Sequence, residues 1–313
     1  MNIVLTFDNS YVQHASALIA SICVNNEPLI TFFIISDYIS STNQKLLENM
    51  ILSYNNQVTF LSLDKKVLED FPIGEGTANT YVSLATYYRL FIPELIPQNV
   101  TRVIYLDCDV IVDGSLTNLW NIDLGDKCIA ALQEQSILCR AGCERLNYPL
   151  NDLYFNAGVL VLNLDKIREK YSSKDYILYI KGHYREILFH DQDVLNKFFH
   201  TSKMFFPLRY NVMDSFLRKH AKLPSYYEYN INEIFEPIVI HYSGPIKPWH
   251  KECKNPYSDL YFKYLQLTPW KNSKSLKKYS TFKDIAIFRL KGLAKFILEL
   301  LHIRYYSYIT LKI

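Results

Sequence analysis

Two aspartates one residue apart, Asp107 and Asp109 in "VIYLDCDVIV" (103–112), carry the plainest chemical suggestion in this 313-residue chain. In an extended backbone, residues i and i+2 point to the same side. Burying an unpaired carboxylate is costly unless something compensates it. A hard divalent cation such as Mn²⁺ or Mg²⁺ would do so, because it takes oxygen ligands and keeps open positions for phosphate oxygens. The alternative is that one or both aspartates lie just past the strand, in a solvated turn. Far downstream, "VIHYSGPIKPWH" (239–250) sets His241 at a strand end, then the turn at Gly244, then Lys247. Imidazole completes a Mn²⁺ shell, glycine lets a ligand approach the backbone, and lysine neutralises phosphate. The plainer reading of His241 is a hydrogen-bonded strand-end histidine.

These residues need elements to position them. Apolar runs of strand length recur at 3–7, 30–36, 58–63, 103–112, 129–132, 158–164 and 237–242. Segments with helical spacing, "HASALIASICVNN" and "TNQKLLENMILSYNN", separate the first three runs. This alternation predicts an α/β fold with a largely parallel sheet, whose strands are apolar because both faces are covered. Ligands of such sheets gather beyond the carboxyl ends of the strands. Asp8 sits at the end of the first run, Asp107 and Asp109 well into the fourth, and His241 at the end of the last. "YVSLATYYRLF" reads as a helix carrying Arg89, able to hold a carboxylate and a sugar hydroxyl together or to sit in a surface salt bridge. "FNAGV" reads as the end of a turn suited to a tight backbone approach or to packing. "HDQDVLNKFF" reads as a helix start, where capping alone explains one of its aspartates.

Hydrophobic residues make up 49% of the chain, enough for a substantial core. Charge is unevenly spread. Residues 271–313 hold ten Lys/Arg against two Asp/Glu, giving +8, whereas residues 1–270 hold 24 against 29, giving −5. Within the basic end, Asp284, Lys291, Lys295, Glu299 and His302 share one arc of a helical wheel. Ile285, Leu290, Leu293, Ile297 and Leu301 cover most of the rest, with Arg289 long enough to snorkel. Charges every few residues exclude a membrane span, which needs about 20 mostly uncharged positions. The segment is expected to lie on anionic lipid; the alternative is a helix docked on the body with its basic rim in water. The acidic body and the apolar arc argue against nucleic acid as a partner. Six cysteines without a C-x-x-C pair, and a start without a basic leader, fit a reduced cytoplasmic protein held peripherally at the inner face of the membrane.

Taken in order and at their separations, "IYLDCDVIV", "YFNAGVLVLNL", "HDQDVLN" and "HYSGPIKPWH" resemble the retaining glycosyltransferases of family 8. Within that family they are most similar to the bacterial lipopolysaccharide α-galactosyltransferases. The resemblance runs from Met1 to about Cys253. It implies a GT-A, Rossmann-like nucleotide-sugar fold over 1–270, a membrane-association tail over 271–313, a UDP-hexose donor, Mn²⁺ (or Mg²⁺), and a saccharide acceptor on a lipid carrier. By the same resemblance, Asp107, Asp109 and His241 would bind the metal, and Lys247 with the Gly244 backbone would contact the phosphates. Thr6 and Asp8 would receive the uracil; a smaller residue often stands where this chain has Thr6. Arg89, Asn156, Ala157, Asp191 and Gln192 would line the donor-sugar site, and Glu134 would hydrogen-bond the acceptor or stand as a solvated loop residue.

The reaction this implies is replacement of UDP at an anomeric carbon by an acceptor hydroxyl, with retention of configuration. Gln192 is a poor nucleophile and Asp191 lies beside it, so attack from the face that the leaving group vacates is favoured over double displacement. Connections 70–81 and 134–155 are candidate lids over donor and acceptor. A UDP-glucose-dependent enzyme of the same fold, and an inactive membrane-bound glycan- or nucleotide-binding protein, are the alternatives.

Overall fold

The computed structural model describes residues 1–69, 71–73, 84–274, 282–301 and 307–310. Its main sheet contains β1 (Asn2–Thr6), β2 (Thr31–Ser36), β3 (Gln57–Ser62), β4 (Arg102–Leu106), β6 (Ile129–Gln133), β7 (Phe155–Asn163) and β8 (Lys203–Phe205). The order across it is β3-β2-β1-β4-β7-β6-β8. All neighbours are parallel except β4–β7 and β6–β7. The alternation of its strands is two-sided. Ile3, Leu5, Phe32, Ile34, Ile104 and Leu106 enter one core, and Val4, Phe33, Ile35, Val103 and Tyr105 enter the other. Both sets are buried, which is why the strands read as continuous apolar runs. The helices Val12–Asn25 and Ser41–Ser53 cover the first face, and Leu84–Phe91 and His190–Phe199 cover the second.

A smaller sheet, β5-β10-β9, is built from β5 (Val110–Val112), β9 (Val212–Met213) and β10 (Val239–His241). The run 103–112, expected as one strand, is therefore two. β4 ends at Leu106, Asp107–Asp109 make a turn, and β5 leaves for the second sheet. Two closely spaced carboxylates interrupt the pleat because they need room for counter-charges that a doubly covered strand lacks.

Register brings the distant motifs to this turn. Leu106 pairs with Val159 on antiparallel β7, and Asp107 N–H donates to Gly158 O at 2.8 Å. Val110 pairs with His241, and His241 with Met213. "FNAG" is the buried start of β7 rather than the end of a turn, and because β7 runs antiparallel to β4 and β6 it starts at the edge where they end.

Beyond Trp270 the helix Phe282–Leu300 shows Leu290, Leu293, Phe296 and Leu300 more than half exposed. From Leu290 onward its apolar side is thus not packed on the body. The chain returns at Tyr308, whose ring lies 3.7 Å beneath the Arg218 guanidinium and whose hydroxyl donates to Asp214 Oδ1 at 2.7 Å. Most of the expected 70–81 lid and His302 lie outside the described residues. Among the described residues no helix is long and apolar enough to cross a membrane.

Candidate active site

The Asp107–Asp109 turn opens onto a cavity of about 290 Å³ lined by Arg89, Glu134, Asn156, Ala157, Asp191, Gln192, His241 and Lys247 among others. Of the residues expected at the site, Thr6, Asp8 and Gly244 do not line this cavity. Asp8 accepts from Ser10 N–H at 2.9 Å and caps the turn Asn9–Tyr11. Thr6 connects indirectly. The Tyr105 hydroxyl donates to Asp107 Oδ1 at 2.7 Å, so Thr6 Oγ1 supplies the proton of its own 3.0 Å bond to that hydroxyl.

Each aspartate has one oxygen engaged and one turned toward His241. Asp107 Oδ1 accepts from Arg89 Nη2 and from Tyr105, both at 2.7 Å, while Oδ2 lies 4.0 Å from His241 Nε2. Asp109 Oδ2 accepts from Lys247 Nζ at 2.5 Å, while Oδ1 lies 3.3 Å from His241 Nε2, buried and without a hydrogen-bond partner. Burial pushes the Asp109 carboxyl up, but Lys247 and His241 outweigh it and hold it well below the usual range. One donor atom from each of Asp107, Asp109 and His241 lies within 4.8 Å of the other two. An orphaned buried carboxylate oxygen beside an imidazole nitrogen and a second carboxylate is a donor set suited to a hard or borderline divalent cation. The residues fit such an ion.

Arg89 is buried in a 3-10 helix, Leu84–Phe91, not an α-helix, and it is no surface bridge. Its Nη1 donates to Ala157 O at 2.7 Å, its Nε lies 2.9 Å from Asp191 Oδ2, and its guanidinium stacks 4.5 Å from the Tyr105 ring. Burial pushes the Asp191 carboxyl above its ordinary value despite Arg89 and the Thr86 hydroxyl. The other aspartate of "HDQD" is not the helix cap that was expected but reaches back to the chain entering the helix. Asp193 accepts from the N–H groups of Leu188 and Phe189, and also binds Tyr154 and Arg145. His190, at φ 51°, makes the turn that aims Asp191 and Gln192 into the cavity. Gln192 Oε1 accepts from Ala157 N–H at 3.0 Å, leaving its amide nitrogen facing Tyr154 Oη at 3.3 Å. Glu134 is buried at the end of β6, accepting from Gln135 N–H and from Asn156 Nδ2, so it is not a solvated loop residue.

Sequence reasoning missed two residues here. A Cβ on Gly158 would stand 2.3 Å from His241 Cε1 and 2.9 Å from Asp107 Oδ2, so only glycine lets β7 pass the cluster. Asn211, fully buried, binds His241 Nδ1 at 2.9 Å and had no motif to announce it.

The model described as "Glycosyl transferase family 8" matches residues 2–253. General stress protein A of Bacillus subtilis is 29% identical over 86% of this chain and 94% of its own length. A lipopolysaccharide 1,2-glucosyltransferase of Escherichia coli is 28% identical over 89% of this chain and 82% of its own. The crystal structure of the galactosyltransferase LgtC in complex with donor and acceptor sugar analogs superposes with a TM-score of 0.76, at 25% identity, covering 86% of this chain and 96% of that one.

Proposed function

Because the chain belongs to glycosyl transferase family 8 and has the GT-A fold, we propose that it is a retaining, metal-dependent hexosyltransferase. The reading is that it moves galactose from UDP-galactose to a saccharide of lipopolysaccharide or lipooligosaccharide. The observation that carries it is the Asp107–Asp109–His241 cluster at the floor of a cavity whose walls hold Arg89, Gln192 and Glu134.

Asp107, Asp109 and His241 would hold Mn²⁺ or Mg²⁺, which supplies charge stabilisation for a departing diphosphate. Lys247 stands at the same place, already oriented by Asp109 and by the Tyr242 carbonyl, 2.7 Å away. Arg89 ties the walls carrying Asp107, Ala157 and Asp191 into one rigid unit, which favours a fixed donor pose. Glu134 offers acceptor-only oxygens to a sugar hydroxyl. The Gln192 oxygen is spent on Ala157 and Asn156; Asp191 Oδ1 accepts from Thr86, while its Oδ2 is buried without a hydrogen-bond partner and ion-paired to Arg89 Nε at 2.9 Å. Gln192 is not disposed as a nucleophile, and the Arg89 charge weakens Asp191 as one, which supports same-face attack with the leaving phosphate taking the acceptor proton. A glycosyl adduct trapped on Asp191 would overturn that.

The exposed apolar face from Leu290 to Leu300, with the basic residues of 271–313, supports a peripheral site on anionic membrane at its cytoplasmic side. Replacing Leu293 and Phe296 by aspartate should abolish sedimentation with anionic vesicles; unchanged sedimentation would remove the tail from that role. The central test is UDP release from UDP-galactose and UDP-glucose, with Mn²⁺ or EDTA, with and without lactose, alongside Asp109→Asn. Release should be metal-dependent, faster with acceptor, and absent in the variant. Preference for UDP-glucose would reassign the sugar, as the 1,2-glucosyltransferase relative would suggest. Nucleotide binding without release from either donor would refute the transferase reading.

A further inference from the structure

His241 is joined to Gln192 and Glu134 by a chain of side-chain amides whose direction can be worked out from one backbone donor. Gly158 N–H points at Asn156 at 3.0 Å, and an N–H can only donate, so the atom it meets is Oδ1. Asn156 Nδ2 therefore faces Glu134 Oε2 at 3.0 Å and Gln192 Oε1 at 3.3 Å, both acceptors. Gln192 Oε1 is fixed independently by Ala157 N–H. Asn211 touches Asn156 Oδ1 at 3.0 Å, so that contact is made by its Nδ2, and its own Oδ1 is left facing His241 Nδ1 at 2.9 Å. An amide oxygen can only accept. Nδ1 must carry the proton.

From this we infer that Asn211 is a positioning residue that holds His241 in the Nδ1–H tautomer, with the Nε2 lone pair aimed between Asp107 and Asp109. This rests on the metal reading above for its purpose, but not for its geometry. A neutral imidazole has one donor and one acceptor nitrogen, and only the acceptor binds a cation. With the opposite tautomer, Nε2–H would donate to Asp109 Oδ1, 3.3 Å away, and the cluster would lose its nitrogen ligand. Asn211 is fully buried between the turn Leu208–Tyr210 and β9, and the Gly158 backbone anchors the far end of the relay, so the direction cannot invert without orphaning a buried group.

The experiment has two arms. Long-range ¹H–¹⁵N correlation of the metal-free protein at about pH 8.5, above the ordinary imidazole range, reads the tautomer, with His241→Gln identifying the resonance. Wild type should show a protonated Nδ1; a protonated Nε2 overturns the inference whatever the metal does. Mn²⁺ affinity, measured from the free-ion EPR signal in the presence of UDP, should fall about 10–100-fold in Asn211→Leu. Asn211→Asp keeps an acceptor for Nδ1–H but loses the donor to Asn156 Oδ1, so it should recover only part of that loss. Equal affinity in wild type and Asn211→Leu overturns the inference. Failure of wild type to bind Mn²⁺ overturns the metal reading instead, and the tautomer measurement still decides the role of Asn211.

Discussion

Placing a single methyl group on Gly158 should separate the metal cluster from the rest of the fold. Gly158 has an ordinary strand backbone, so alanine introduces no conformational strain there. The methyl carbon would lie 2.3 Å from His241 Cε1 and 3.0 Å from Nδ1, against 3.4 Å for an ordinary contact. The ring would have to retreat by at least 1.1 Å, the difference between those two distances. It has nowhere equivalent to go. Asn211 holds Nδ1 from behind, and His241 is paired on both sides, to Val110 and to Met213. Overpacking of this size typically destabilises by about 1–3 kcal/mol. A displacement near 1 Å in a reacting assembly lowers rate about 100-fold. Gly158→Ala should therefore melt a few degrees lower by differential scanning fluorimetry. Its Mn²⁺-dependent UDP release should drop about 100-fold in kcat/KM, and the Mn²⁺ concentration needed for half-maximal rate should rise. The thermal arm does not depend on the assigned reaction. A variant with wild-type melting and turnover within about threefold would mean that β7 does not press on His241, and the geometry argued above would be wrong.

Two further consequences can be measured without a substrate. Arg89→Met, which strands Asp107 and Asp191, should cost about 3–5 kcal/mol in urea denaturation, and Arg89→Lys should recover less than half of it because an ammonium cannot span the same acceptors; full recovery would refute the role of the guanidinium fork. Burial pulls the Lys203 ammonium down to about 8 from 10.5, so between those values the unfolded chain holds a proton that the folded chain has released, and stability rises with pH. The gap between Lys203→Met and wild type should thus change by about 2 kcal/mol in wild type's favour from pH 7.5 to 9.5; no change would show that Lys203 keeps its proton.

Legibility from sequence followed the physics of each residue. β1 and β2 could be read because doubly buried strands leave a short apolar signature with few competing interpretations, and β3, a half-exposed edge strand, still carried Val58, Phe60 and Leu61 at strand length. β8 and β9, three and two residues long, carry no periodicity to detect. The turn at Asp107 was one of the two readings of that run, but the change of sheet could not be seen, since β4 and β5 are each apolar and nothing local says that they join different sheets. His241 and the aspartates announced themselves as polar atoms in apolar runs. Asn211 and Gly158 did not, because their roles exist only once antiparallel pairing brings β7 and β9 beside the turn. His190 needs a left-handed backbone, which histidine adopts more readily than most side chains but too rarely to be a signal by itself.

The charge of the cavity wall explains why polar groups this expensive are kept among apolar strands. Arg89 and Lys247 contribute two positive charges, while Asp107, Asp109, Glu134 and Asp191 contribute four negative ones. Those six side chains together carry two net negative charges, and both cations are already committed to aspartates. A diphosphate approaching them alone meets repulsion at short range in a partly desolvated site, where a charge interaction is several-fold stronger than in water. On the proposed function, one divalent cation would bring the count to zero and turn the same wall into an anion site. On that reading the aspartates are conditional counter-charges, restrained by Arg89 and Lys247 on one side so that their other oxygens stay together despite their mutual repulsion. Removing either restraint should let the pair relax apart, which is why Lys247 matters to the metal cluster before it can matter to phosphate.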